Sequence, residues 1–166
     1  MPGSPTGPSS LNGPTMDLSV STERSIFIVH GHSRENEVAR AVQQATGREP
    51  TLLSEQPGRG QTIIEKFESH AGRAGFAVVL LTADDVGAAK ASPEHLNPRA
   101  RQNAILELGY FLAKIGRENV AVLFEEGVEL PSDYTGVEYI SFADEWRWKL
   151  SRELKAAGFD VAAPAS

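Results

Sequence analysis

Apolar and polar positions alternate in blocks along this chain. SIFIV at 25–29, PTLL at 50–53, GFAVVLLT at 75–82, NVAVLF at 119–124 and GVEYISF at 136–142 are short apolar runs, rich in β-branched and aromatic residues. That is the pattern of strands buried on both faces. Between them the spacing changes to threes and fours, the helical period. Val38, Ala41, Val42 and Ala45 mark a helix closed by Gly47, and Ile63, Ile64 and Phe67 a second that ends near Gly72. Trp146, Leu150, Leu154 and Ala157 mark a last helix, closed by Gly158. The strongest helical signal is PRARQNAILELGYFLAKIG at 98–116. It predicts one helix of about five turns, with Pro98 in the first helical position and Gly116 just past the end. Ala104, Leu108, Phe111 and Ile115 form its inward stripe, widened by Ile105 and Leu112.

Strands alternating with helices predict an α/β fold, with a five-stranded parallel sheet of order 2-1-3-4-5, helices on both faces and right-handed crossovers. Ligands of such sheets bind beyond the carboxyl ends of the strands, where the strand order switches. That crevice is expected to collect His30–Ser33, Asp84–Asp85 and the start of the 98–116 helix. The connection ADDVGAAKASPEHLN at 83–97 reads as a long polar loop, and long loops in compact domains are commonly functional. Residues 1–24, punctuated by Pro2, Pro5, Pro8 and Pro14, read as a disordered tail or linker,. The folded domain is expected over 25–160, with a short C-terminal tail at 161–166.

Composition narrows the classes. The 166 residues suffice for one domain with a real core,. A net charge of −6, from 22 acidic and 16 basic residues, argues against a general nucleic-acid binder, whose footprint is basic. With no cysteine, disulfides, thiolate metal sites and a cysteine nucleophile are excluded. No apolar run approaches membrane-spanning length, and the start lacks the form of a secretory signal. The expected compartment is the cytoplasm.

Glu107 is the residue out of place. At roughly 100° per residue it falls at the margin of the apolar stripe, beside Ala104 and Phe111. A partly desolvated carboxylate costs free energy unless something compensates. It is either a rim glutamate paired with Arg101 or Lys114, or a working carboxylate at the edge of a cleft. His30 and His32 form an H-x-H pair, a weak metal signal with Asp84, Asp85 or Glu107; packed structural histidines explain it better. PGRGQT at 57–62 lacks the lysine of a phosphate loop,. Its glycines read as turn residues, although a helix start follows that would hold an anion. Arg99 and Arg101 are either solvated first-turn charges or a bidentate phosphate clamp.

Taken together, IFIVHGH, SEQPGRGQTIIEKFE, GFAVVLLTADDVG, PRARQNAILELGYFLAKIGR and VELPSDYTGVEYI resemble the TIR-like domain of bacterial predicted nucleotide-binding proteins. That family includes TIR effectors of cyclic-nucleotide-triggered antiphage defence. The resemblance covers roughly residues 25–160. It implies a flavodoxin-like TIR fold and cleavage of NAD⁺, here as substrate; the mechanism this suggests uses no Lewis acid, so no metal and no other cofactor are expected. The family's catalytic glutamate sits in an N-x-x-x-E-L-G motif, which runs here from Asn103 to Gly109 and puts the role on Glu107. The resemblance further implies TIR–TIR self-assembly through the 54–62 loop, with Gly58, Arg59 and Gly60 at its tip, and a sensor domain or partner that binds a cyclic nucleotide.

That chemistry suits one carboxylate. The nicotinamide of NAD⁺ is already cationic and leaves neutral, so the general acid of ordinary glycosidases is not needed. A preorganised carboxylate stabilises the positive charge that develops on the ribose, or holds its hydroxyls. His30, Gly31, His32 and Ser33 are expected to line the nicotinamide-ribose and phosphate region, with Asp84, Arg101 and Asn103 as further binding residues. Two other readings stand beside this one: a non-catalytic nucleotide-binding or assembly module, and a nucleoside deoxyribosyltransferase-like enzyme.

Overall fold

The computed structural model describes residues 3–4, 24–31, 33–53, 62–70, 74–132 and 136–162. His32, Gly58, Arg59 and Gly60, like most of the two expected tails, lie outside the described residues.

Five strands form one parallel sheet: β1 (Ser25–Val29), β2 (Thr51–Leu53), β3 (Ala74–Leu81), β6 (Val120–Phe124) and β7 (Glu138–Ser141). Their order is β2-β1-β3-β6-β7, and every pairing is parallel. This is the expected 2-1-3-4-5 arrangement. Strand side chains alternate between two apolar faces. Ile26, Ile28, Phe76 and Val78 pack with Val38 and Val42 of α1 (Glu35–Thr46) and with Trp146, Leu150 and Leu154 of α4 (Trp146–Ala156). Phe27, Val29, Ala77 and Val79 pack with Ile63 and Phe67 of α2 (Ile63–His70) and with Leu108 and Phe111 of α3 (Gln102–Ile115). A residue on β1 or β3 therefore has no solvated face, which is why these strands read as unbroken apolar runs.

The connection after β3 departs from expectation. It is not a plain loop but holds an antiparallel pair, β4 (Asp85–Gly87) and β5 (Asn97–Arg99). Pro98 belongs to β5, opposite Val86, so the expected helix at 98–116 begins only at Gln102. Proline lacks an N–H and biases the residue before it toward extended backbone; here that bias serves an edge strand. Residues 98 and 99 are also tied to the loop after β6, where Glu129 N–H donates to Pro98 O at 3.0 Å. The far end of α3 is as expected, with Gly116 at φ +85°.

α2 opens with a reciprocal cap. Thr62 N–H donates to Glu65 Oε2 at 2.8 Å and Glu65 N–H to Thr62 Oγ1 at 3.1 Å, satisfying donors that a helix start leaves free. Among the described residues no helix is long and apolar enough to cross a membrane.

Candidate functional site

Parallel crossovers place the carboxyl ends of β1, β3 and β6 on one edge, together with the starts of α2 and α3. Residues that leave the strands there converge. His30 follows β1, and its N–H extends the β1–β2 pairing by donating to Leu53 O at 3.1 Å. Its ring Nδ1 lies 3.1 Å from Gly31 O and 3.9 Å from Glu35 Oε2. Thr82, 2% exposed at the end of β3, donates its hydroxyl to Asp84 Oδ2 at 2.7 Å. Gly31 and Asp84 touch: a Cβ built on Gly31 would lie 2.7 Å from Asp84 Oδ2. The two segments expected to share the crevice are thus in contact. Ser33 is half-buried just before α1.

Arg34 caps α1 with φ +69°, the one non-glycine among the described residues in the left-handed region. Such a backbone costs about 1–3 kcal/mol and persists only where its surroundings hold it. Here the Arg34 guanidinium lies 3.9 Å from the Phe142 ring centroid and pairs with Glu37.

Glu107 is buried, at 6% exposure, deeper than the rim position that its place at the margin of the stripe suggests. Its neighbours follow from the helix. Tyr110 and Phe111, three and four residues on, share its flank, and both rings meet Phe67 of α2 edge-on, at 5.9 and 4.8 Å between centroids. Glu107 therefore lies one turn nearer the carboxyl edge in the groove between α2 and α3. Asn103 precedes it by four residues on the same flank and is exposed, as is Arg101 at the N-cap. Tyr110 donates to Glu68 Oε1 at 2.9 Å. Burial first, then the hydrogen bond and charge of Glu68, raise its phenol above the ordinary tyrosine range, so it is a neutral donor in this groove.

The other arginine at the helix start is committed elsewhere: Arg99 Nε donates to Glu129 Oε2 at 2.8 Å. Among the described residues no three His, Asp or Glu side chains are grouped to hold a metal, and His32 of the H-x-H pair lies outside them.

Sequence reasoning missed Arg24. At the opposite edge of the sheet its guanidinium donates to Gly75 O at 3.1 Å, to Asn119 Oδ1 at 2.8 Å and to Ala157 O, and lies 4.9 Å from the Phe159 ring centroid. No local signal marks it, because its partners are 51 to 133 residues away in sequence.

Comparison with known proteins shows the family of the chain. The uncharacterized protein YuaY of Escherichia coli K12 is 48% identical over 139 residues, which cover 81% of this chain and 46% of that protein. Protein tirC of Dictyostelium discoideum is 32% identical over 146 residues, 81% of this chain and 71% of tirC. The Pycsar effector protein BcPycTIR of Burkholderia cepacia is 37% identical over 82 residues, 48% of this chain and 26% of that protein. The chain thus spans about half the length of YuaY and a quarter of BcPycTIR. A family model described as the TIR domain of CAP12/Pycsar effector proteins matches residues 25–144, and the chain belongs to that family.

Proposed function

We infer that this domain cleaves the nicotinamide–ribose bond of NAD⁺, with Glu107 as the catalytic carboxylate. The observation that carries the reading is a glutamate only 6% exposed, on the flank of α3 that helical spacing from Tyr110 and Phe111 turns toward α2. A buried carboxylate costs stability, and a site that stabilises developing positive charge gives that cost a use. The C1′–N bond of NAD⁺ breaks with its electron pair going to nicotinamide, which leaves neutral. The ribose becomes oxocarbenium-like, and Glu107 faces that charge or holds the ribose hydroxyls. Water then adds at C1′ and loses a proton, giving ADP-ribose. His30, Gly31 and Ser33 line the approach with His32; Asp84, Arg101 and Asn103 complete the contacts.

The TIR effector family fits a role in antiphage defence. In that role activity follows TIR–TIR assembly through Gly58, Arg59 and Gly60, prompted by a sensor domain or partner that binds a cyclic nucleotide.

Incubation of the purified chain with NAD⁺, and separately with deoxynucleosides, tests the reading by chromatography. Nicotinamide released from NAD⁺ alone supports it. Base exchange on deoxynucleosides alone would make the protein deoxyribosyltransferase-like, and no turnover of either, even at high protein concentration with a crowding agent that drives assembly, would make it a binding or assembly module.

A further inference from the structure

On the flank of α3 opposite Glu107 lies a cleft of about 330 Å³. Ala100, Ile105, Leu130 and Pro131 form its apolar wall, with Gln102 and the paired Arg99 and Glu129 at the polar end. The wall is fastened in place. Glu129 N–H donates to Pro98 O at 3.0 Å, and the Arg99–Glu129 ion pair closes at 2.8 Å. Gly87 gives Arg99 its path, since a Cβ there would lie 2.5 Å from Arg99 Nη1. Small-molecule pockets span about 300–1,000 Å³ and are mostly apolar with a few polar groups, so the cleft is the size for one ring system. The Gln102 amide offers both a donor and an acceptor, which suits a planar heterocycle with ring nitrogens and an exocyclic amine.

The helix itself decides which ring. Ile105 and Glu107, two residues apart, point about 160° from each other around α3, and Gln102 lies about 7.5 Å from Glu107 along the axis. The start of α3 stands between the two flanks. Its first turn carries no acidic residue, whereas those of α1 and α2 do, and Arg101 precedes it. A dinucleotide whose reacting ribose meets Glu107 would carry its diphosphate over this helix start, where free N–H groups and the dipole favour an anion. Its far ring then arrives at the cleft. Resting on the NAD⁺ reading above, we propose that the cleft between the start of α3 and residues 129–131 is an adenine subsite.

AMP, which has no nicotinamide to lose, is the probe, titrated into the full chain by calorimetry. The wild type is expected to bind AMP. Gln102→Ala, at an exposed position that leaves the fold intact, is expected to weaken binding about three- to ten-fold. Leu130→Trp, which fills the cleft, should abolish it, while nicotinamide mononucleotide binds both variants as it binds the wild type. No AMP binding at millimolar concentration, or equal AMP binding by all three proteins, would overturn the subsite. AMP binding sensitive to both substitutions in a protein that leaves NAD⁺ intact would uphold the subsite and remove the cleavage reading. NAD⁺ cleavage with AMP binding indifferent to both would do the reverse.

Discussion

Gly31 and Asp84 meet where β1 and β3 end, so closely that a Cβ on Gly31 would stand 2.7 Å from Asp84 Oδ2. The obstacle is the tip of a carboxylate, which can swing, but swinging breaks its bond from Thr82. Gly31→Ala should therefore fold, losing only about 1 kcal/mol, the low end of the cost of overpacking, while weakening nucleotide binding. Urea denaturation and NAD⁺ titration check this. A larger stability loss with unchanged binding would place the contact in the scaffold instead.

Arg24 ties β3, the turn at Asn119 and the end of α4 through three acceptors and an aromatic ring. Arg24→Ala leaves those acceptors without their charged donor, at a cost on the order of 3 kcal/mol. Denaturant midpoints for Arg24→Ala and Arg24→Lys measure it. The lysine, without the planar fork, is expected to recover only part.

Glu153 on α4 has its acid dissociation raised, by burial first and then by Glu138, with Arg152 opposing. The unfolded chain ionises this group at lower pH than the folded one. Its contribution to stability is therefore full below the ordinary glutamate range and is lost as pH rises through the raised value. At pH 7 the folded protein carries a charge it disfavours. Glu153→Gln should raise the melting temperature at pH 7 and leave it nearly unchanged at pH 3. Equal effects at both values would contradict this sign.

The proposed self-assembly predicts a concentration dependence. If a neighbouring copy completes the competent state, specific activity rises with protein concentration, because that state is a minor one in the monomer. Arg59→Glu should flatten the rise. Constant specific activity across dilution, unaltered by Arg59→Glu, would make the monomer sufficient.

Much of this was legible in the chain. The apolar runs SIFIV and GFAVVLL announce strands buried on both faces, since each alternates between Phe67 and Phe111 below and Val38 and Leu150 above. The angular misfit of Glu107 is visible from helical period alone, but its burial is not, because that depends on how α2 and α3 pack. Thr62 and Glu65 have the spacing of a capping box, a local signal that the reading of the chain did not use and the structure supplies,. Pro98 misleads for a physical reason. A proline that opens a helix and one in an edge strand have the same local chemistry, and only the pairing with Val86, twelve residues earlier, separates them. The meeting of the Gly31 and Asp84 segments follows from the strand order, whereas the Arg99–Glu129 contact is as non-local as the Pro98 pairing.

Glu107 carries the central claim, and one substitution tests it most directly. Glu107→Gln keeps the shape of the side chain and removes its charge. With folding verified by circular dichroism and melting temperature, nicotinamide release from NAD⁺ is compared at equal concentration for wild type and variant. The account expects a loss on the order of 10²–10³-fold or more, the scale of removing one preorganised electrostatic contact. Turnover by a folded Glu107→Gln within a few-fold of wild type would contradict it.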